Sequence, residues 1–214
     1  MKSNGLIVAG GSITDTEKLI EYIKKTDFLV CADKGYEIIN KLCIVPNAVI
    51  GDFDSTKLVP SCEGEIEIIR YNVEKDQTDT QLCIDYLSGK EVSTVYLFGG
   101  LGGNRIDHSV ANIQLMEYAL SKNIQLVIID GKTTLYLLNE GSMKIFGNIG
   151  DTLSVFAIED VKGLTYKGLK YSLDNGDLYK YNPYCVSNSF INDTAEISIK
   201  KGLALIIHIG GETV

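Results

Sequence analysis

The sequence lacks several features that would assign it to a broad functional class. None of its apolar stretches approaches the roughly 18 residues of a membrane span, and its N-terminal apolar run is too short for a signal peptide. Its five cysteines show no CxxC spacing, which leaves a zinc site or a disulfide framework unsupported. Its net charge of −8 argues against a general nucleic-acid binder and against binding to an anionic membrane. We therefore expect a cytoplasmic protein with reduced thiols and without nucleic-acid or membrane partners.

The standard nucleotide-binding motifs are also absent. Gly131-Lys-Thr133 resembles the end of a P-loop, but Leu126 stands where the first glycine is required. In the glycine-rich segment 99–105, Arg105 replaces the last glycine of GxGxxG. An acidic protein can still hold phosphates through a few local cations and a metal. A nucleotide bound by this chain must therefore be held in another way.

The order of apolar runs predicts an α/β fold followed by a β domain. The 214 residues are 45% hydrophobic, enough to bury a core. Up to Asp130, short apolar runs alternate with segments of helical spacing, which predicts a mostly parallel, Rossmann-like sheet with flanking helices. The predicted strands are Gly5–Gly10, Phe28–Ala32, Ala48–Ile50, Ile66–Tyr71, Thr94–Phe98 and Gln125–Ile129.

Capping boxes and apolar spacing predict the helices of this domain. Thr14-Asp-Thr-Glu17 and Thr78-Asp-Thr-Gln81 both have the form of a capping box at a helix start. A further helix follows the glycine-rich segment, and apolar residues at spacings of three and four predict its buried face. These residues are Ile106, Val110, Ile113, Met116 and Leu120.

Beyond Asn139-Glu-Gly-Ser142 the helical spacing disappears and turn signals become dense. The strand-like segments between the turns are Leu153–Ile158, Leu164–Tyr171, Ala195–Lys200 and Leu203–Ile209. In the third of these, apolar and polar residues alternate strictly, as in a half-buried strand. The sequence thus predicts an α/β domain over residues 1–138 and an antiparallel β-sandwich domain over residues 143–214.

Carboxylates follow the predicted strands at the edge where a parallel α/β sheet binds ligands. Asp52 and Asp54, two residues apart in an extended segment, point the same way and can share a hard cation, although a turn is the alternative. Asp79 is explained equally well by stabilisation of a helix N-terminus, whereas Asp76 lies outside that helix. Four carboxylates at one edge would form an acidic cage for one or two Mg²⁺ ions that carry phosphates.

The segment Gly99–His108 combines glycines with rare cationic residues. Only two arginines and two histidines occur in the chain, and Arg105 and His108 both fall here. A tight loop is one interpretation, and a backbone that approaches phosphate oxygens ahead of a helix is the other. Arg105 would then serve as a phosphate-binding fork. His208 lies in an apolar run and is interpreted as a core histidine.

These segments, in this order, resemble the bacterial type of the thiamine pyrophosphokinase family over essentially the whole chain. The resemblance is carried by Ala32-Asp-Lys-Gly35, Gly51-Asp-Phe-Asp-Ser55, Lys75-Asp-Gln-Thr-Asp79, Gly99–His108, Gly163–Tyr171, Leu173-Asp-Asn175 and Val186-Ser-Asn-Ser-Phe190. It implies a transferase that moves the pyrophosphoryl group of ATP to thiamine and releases AMP, with Mg²⁺ as cofactor and ATP as co-substrate. It also implies a homodimer whose sites are shared between subunits.

The resemblance further implies roles for individual residues. The Mg²⁺ ligands would be Asp52, Asp54 and Asp79, with Asp76 as a further catalytic residue. The ATP-binding residues would be Asp33, Gly99, Gly100, Gly102, Arg105, Asp107 and His108. The thiamine-binding residues would be Gln77, Thr78, Ser187 and Asn188.

The chain departs from the animal enzymes in having no tryptophan to lie near the thiamine rings. Phe190 or one of the twelve tyrosines, with Tyr181 and Tyr184 nearby in sequence, would take its place. Other functions remain open. They are a Mg²⁺-dependent hydrolase of nucleotide or sugar phosphates, a related pyrophosphokinase with a pterin alcohol as acceptor, and a non-catalytic module that senses nucleotides or thiamine.

Overall fold

The structure is a computed structural model that describes residues 3–53, 66–101 and 105–211. Two predicted site residues, Asp54 and Gly102, lie outside these ranges. The chain divides into two compact units, Met1–Gly131 and Lys132–Val214. Over the residues described, no helix is both long enough and apolar enough to cross a membrane.

The N-terminal unit is built on a parallel sheet with the strand order β4-β3-β2-β1-β5-β6. Its strands are β1 (Ser3–Val8), β2 (Phe28–Ala32), β3 (Ala48–Gly51), β4 (Glu67–Arg70), β5 (Val92–Phe98) and β6 (Gln125–Asp130). Its helices are α1 (Thr16–Ile23), α2 (Gly35–Lys41), α3 (Asp79–Ser88) and α4 (Ile106–Ser121). The successive residues Leu6, Ile7 and Val8 are fully buried, so β1 is covered on both faces, as is typical of a parallel sheet. The predicted α/β fold class is confirmed.

The helix starts agree with the sequence at α3 and differ slightly at α1. Thr78 caps α3, and its hydroxyl accepts a hydrogen bond from the Gln81 N–H at 3.2 Å. At α1 the N-cap is Asp15 rather than Thr14, and its carboxylate accepts from the Lys18 N–H at 2.9 Å. Asp and Thr are both good caps, so the sequence alone does not decide between adjacent positions.

The predicted buried face of α4 is wrong at its N-terminal end. Ile106 and Val110 are 78% and 51% exposed. The buried residues are Asn112, Leu115, Met116 and Ala119, of which Met116 belongs to the predicted set. Both sets follow helical spacing, and contact with the rest of the unit selects the second one.

The strand order creates a switch point between β1 and β5. These two strands are neighbours, yet the chain leaves β1 toward β2 on one side and leaves β5 toward β6 on the other. Connections that diverge in this way open a crevice at the carboxyl ends of the strands, where open α/β sheets bind ligands.

The C-terminal unit is an antiparallel β-sandwich. Its strands are β7 (Thr133–Phe146), β8 (Thr152–Ala157), β9 (Val161–Lys167), β10 (Leu173–Leu178), β11 (Asn188–Ser189) and β12 (Thr194–Ile209). The long strand β12 pairs with β7 along its length, with β9 through its first half and with β8 through its second half. Side chains from both halves, among them Ile197 and Ile206, enter one apolar core.

The two predicted strands at the C-terminal end form the single strand β12. A bulge between Ile199 and Leu203 interrupts it, and Gly202 adopts φ +102° there. A Cβ at Gly202 would collide with the Asp160 carbonyl, so the chain requires glycine at this bend.

The turn signal at Asn139-Glu-Gly-Ser142 lies inside β7. Glu140 and Gly141 have φ values of +49° and +90°, and they lie opposite the bulge of β12. The signal therefore marks a bend that both long strands share. The compact units divide at Gly131–Lys132, which is earlier than the predicted boundary at residues 138–143.

Candidate active site

Carboxylates gather at the carboxyl ends of β2 and β3. Asp33 follows β2, and its N–H donates to the Ile50 carbonyl at 2.9 Å, which holds it against the end of β3. Asp52 follows β3, and Asp79 opens α3. The sequence predicted this convergence because parallel strands end at one edge. Among the residues that the structure describes, no three acidic, histidine or cysteine side chains form a complete metal site, and the predicted ligand Asp54 lies outside that part.

A lysine joins two of the predicted metal ligands. The Lys75 Nζ lies 3.0 Å from Asp52 Oδ2 and 3.0 Å from Asp79 Oδ1. All three side chains are largely withdrawn from solvent, at 11%, 13% and 25% exposure respectively. The contact with Asp52 is a hydrogen bond, and the contact with Asp79 is an ion pair. One ammonium group therefore holds both carboxylates.

The electrostatics at this edge show a shortage of positive charge. Burial raises the pKa of Asp79, the ion pair with Lys75 lowers it, and the charges of Asp52 and Asp33 raise it again, which leaves a net rise. Burial acts to lower the pKa of Lys75, but the two carboxylates outweigh it and the pKa is raised. A further cation here would favour the ionised form of Asp79.

The glycine segments after β1 and β5 meet at the switch point. The Gly11 N–H donates to the Gly99 carbonyl at 3.1 Å, and Gly99 adopts φ +68°. A Cβ on Gly11 would collide with the Gly99 carbonyl, and one on Gly99 would lie 2.5 Å from the Ala9 carbonyl oxygen. Both positions therefore require glycine for the two backbones to approach.

A buried asparagine fixes the second of these loops. Asn112 on α4 is 7% exposed, and its Nδ2 donates to the Gly100 carbonyl at 2.7 Å. Asn112 is not among the site residues predicted from the sequence. Its spacing along the helix was the available signal. Asn112 lies three, four and seven residues before Leu115, Met116 and Ala119, which places its polar side chain on the buried face.

Arg105 lies at the start of α4 and is turned toward its own helix. Its Nε donates to Asp107 Oδ1 at 2.9 Å and its Nη2 donates to Asp107 Oδ2 at 2.6 Å. Arg105 and Asp107 are 66% and 62% exposed, and His108 is exposed as well. The guanidinium lowers the pKa of Asp107 to about 2. Both prongs of the guanidinium fork are thus placed on the Asp107 carboxylate, whereas the sequence predicted phosphate oxygens as the partner of this residue.

The other predicted residues of the N-terminal unit lie before and at the start of α3. Asp76, Gln77 and Thr78 are exposed, and Thr78 also caps the helix. Lys75 belongs to the same quoted motif, but the sequence analysis gave it no function. Its position four residues before Asp79 was the available signal, because side chains at that spacing meet when the backbone turns.

In the C-terminal unit, Ser187 and Asn188 have different environments. Ser187 is exposed with φ +58°, whereas Asn188 is 6% exposed. The Asn188 side-chain amide makes two hydrogen bonds with the backbone of Tyr171. Its Oδ1 accepts from the Tyr171 N–H at 2.9 Å, and its Nδ2 donates to the Tyr171 carbonyl at 2.7 Å. The Tyr171 side chain remains 62% exposed. Asn188 therefore fixes the backbone of an exposed aromatic residue.

Comparison with known proteins matches both halves of the chain. The catalytic domain of thiamin pyrophosphokinase matches residues 14–128, and the vitamin B1 binding domain of thiamin pyrophosphokinase matches residues 142–204. The thiamine pyrophosphokinase of Bacillus subtilis (strain 168) is 30% identical over 208 residues, which is 94% of this chain and 96% of that protein.

Solved structures agree with these matches. A crystal structure of thiamine pyrophosphokinase from Bacillus subtilis superimposes with a TM-score of 0.85 at 28% identity and covers 97% of this chain and 99% of that one. A thiamin pyrophosphokinase family protein from Enterococcus faecalis gives a TM-score of 0.79 at 27% identity and covers 98% and 100%. Because the matched domains account for most of the sequence and the relatives align over nearly their full length, the chain belongs to the thiamine pyrophosphokinase family, a family of transferases, as its motifs predicted.

Proposed function

We propose that the protein transfers the pyrophosphoryl group of ATP to the hydroxyl group of thiamine, giving thiamine diphosphate and AMP. Family membership supports the reaction. The observation that carries the site assignment is the placement of Asp52 and Asp79 on one shared cation at the ligand-binding edge of the sheet. Such a transfer requires positioning and charge neutralisation rather than a covalent intermediate.

Asp52 and Asp79 have the chemistry that Mg²⁺ requires. Carboxylate oxygens are its preferred protein ligands, and these two already converge within 3.0 Å of a common positive group. We propose that they hold Mg²⁺ together with Asp54. When bound, Mg²⁺ would neutralise phosphate charge and polarise the phosphorus under attack. Asp76, exposed in the same motif, stays the proposed further catalytic residue.

The glycine segments of the switch point are the proposed site for the ATP phosphates. Gly99 and Gly100, fixed by Asn112 and by Gly11, offer backbone without side chains, which lets a phosphate come close. Arg105 would exchange the Asp107 carboxylate for phosphate oxygens, because its fork suits either anion. Asp33, Gly102 and His108 remain predicted members of this site.

Replacement of Asn112 by leucine should weaken the use of ATP and not that of thiamine. Leucine fills a similar volume but leaves the Gly100 carbonyl without its donor, and a lost buried hydrogen bond costs about 1–3 kcal/mol. We expect kcat/KM for ATP to fall roughly tenfold, with the KM for thiamine unchanged. Gln114→Leu, at an exposed position on the same helix, is the matched control. Equal losses for both substrates would mean that Asn112 serves stability alone.

Tyr171 is the proposed aromatic partner of thiamine. Phe190 is only 1% exposed, which removes it as a stacking surface, whereas Tyr171 is exposed and its backbone is held by Asn188. An aromatic ring at a fixed position can stack on a flat heterocycle at little entropic cost. Asn188 would then act on thiamine through Tyr171.

The change Tyr171→Ala should raise the KM for thiamine about tenfold, since stacking of a base on an aromatic side chain contributes about 1–3 kcal/mol. Tyr171→Phe keeps the ring and should stay close to wild type. Tyr181→Ala removes a ring that is 82% exposed and stacks on Tyr179, and it serves as the control. A larger effect of Tyr181→Ala than of Tyr171→Ala would transfer the stacking role to Tyr181.

Chromatography of the products from ATP and thiamine tests the proposed reaction directly. AMP with thiamine diphosphate is the expected result. ADP with thiamine monophosphate would redefine the transfer, and free phosphate formed without thiamine would indicate a hydrolase. A homodimer with shared sites and a cytoplasmic location stay predictions, for which sedimentation and cell fractionation are the measurements.

A further inference from the structure

Lys75 occupies the place where the proposed metal site needs a positive charge. Its ammonium nitrogen is 3.0 Å from one oxygen of Asp52 and 3.0 Å from one oxygen of Asp79. A Mg²⁺ ion binds carboxylate oxygens at about 2.0–2.1 Å. A Mg²⁺ ion on the same two oxygens would lie within a few ångströms of the ammonium group, and like charges at that distance oppose each other, so the two cations compete for these carboxylates.

The surroundings explain why the metal-free protein needs this lysine. Asp33, Asp52 and Asp79 belong to the same edge of the sheet, and the Lys75 ammonium lies 3.0 Å from an oxygen of Asp52 and 3.0 Å from an oxygen of Asp79. Carboxylates that are mostly withdrawn from solvent repel each other strongly unless a counter-ion lies among them. Lys75 supplies that counter-ion from the segment between β4 and α3, and its long side chain can leave without a change in the strands.

We propose that the Lys75 ammonium group takes the place of the metal ion when no metal is bound. It then holds Asp52 and Asp79 together, and it competes with the divalent cation for these two carboxylates. Lys75 is thus a positioning residue for the metal ligands. The inference rests on the proposed function in so far as Asp52 and Asp79 are metal ligands. The inference goes beyond the proposed function because it predicts that replacement of Lys75 strengthens metal binding.

The test is the binding of Mn²⁺ to nucleotide-free protein, followed by the electron paramagnetic resonance signal of free Mn²⁺. The variant Lys75→Met should bind Mn²⁺ about tenfold more tightly than wild type, because a site blocked by its own ammonium for about nine-tenths of the time loses that factor in apparent affinity. Lys75→Arg keeps the charge and should bind no more tightly than wild type. Lys25→Met removes a lysine from an exposed pair with Glu21 and should change nothing.

Thermal unfolding gives a second readout that does not depend on turnover. In EDTA, Lys75→Met should melt below wild type and below Lys25→Met, because the carboxylates lose their counter-ion, and Mn²⁺ should raise its Tm more than it raises that of wild type. Equal or weaker Mn²⁺ binding by Lys75→Met would overturn the inference and leave the metal site intact. Failure of both the wild type and Lys75→Met to bind Mn²⁺ would instead overturn the metal site of the proposed function. If Lys75→Met does not fold, tighter binding by Lys75→Arg than by wild type overturns the inference.

Discussion

The variant Asp79→Asn should lose about a thousandfold in kcat, since removal of a single charge-stabilising group in an active site commonly costs two to three orders of magnitude. Asparagine keeps the shape of aspartate but removes the charge that pairs with Lys75 and that would hold Mg²⁺. The stability should change by about 1 kcal/mol or less, because the lost attraction to Lys75 is offset by relief of repulsion from Asp52 and Asp33.

Formation of AMP at saturating ATP and thiamine measures kcat, and circular dichroism on heating measures the fold. Asp85→Asn is the matched control on the same helix, because Asp85 accepts a hydrogen bond from the Tyr118 hydroxyl at 2.6 Å outside the proposed site. It should retain wild-type turnover. Wild-type turnover of Asp79→Asn at ordinary Mg²⁺ concentration would reduce Asp79 to a residue that stabilises the helix start.

The change Asp151→Ala should destabilise the protein by about 3 kcal/mol, because it removes a buried carboxylate that joins three donors from different segments of the chain. Asp151 is 3% exposed. Its Oδ2 accepts from the Asn148 N–H at 2.8 Å and contacts His208 Nε2 at 2.8 Å, and its Oδ1 accepts from the Gly211 N–H at 2.7 Å. The loss corresponds to a fall in Tm of roughly 6–12 °C for a protein of this size.

The pH dependence of Asp151 has a defined sign. Burial raises its pKa, but the hydrogen bonds from Gly211, Asn148 and His208 outweigh this, so the pKa lies below the ordinary value of 3.8. The stability that the carboxylate contributes is therefore complete above pH 3.8 and is lost as the pH falls through the lowered pKa. The Tm advantage of wild type over Asp151→Asn should shrink in that range.

Asp177→Ala is the control for this prediction. Asp177 pairs with Lys162 at 2.7 Å, but its side chain is 42% exposed, and ion pairs in contact with solvent contribute little to stability. A Tm of Asp151→Ala equal to that of Asp177→Ala would show that the buried contacts of Asp151 and His208 are replaced by water without loss.

The sequence predicted the sheet and the edge at which its carboxylates meet, and the reason is local. Uninterrupted apolar runs such as Phe28–Ala32 specify strands buried on both faces, and Asp33 and Asp52 directly follow two of them. Once the strands are parallel, chain order alone sends these residues to one edge. His208 was likewise predicted as a core residue from its apolar neighbours, although its partner Asp151, 57 residues away, was not.

Tertiary structure alone decided the features that depend on which elements meet. Two faces of α4 have helical spacing, and packing buries the one with Asn112 rather than the one with Ile106. The turn signal at 139–142 became a bend because β12 pairs along the whole of β7. Lys75 contacts Asp52, which is 23 residues away in the sequence, and so joins it to Asp79. Asn188 likewise binds the backbone of Tyr171 from a distant segment. Spacing along a chain specifies what each segment can form, whereas contacts between distant segments depend on distances that exist only after folding.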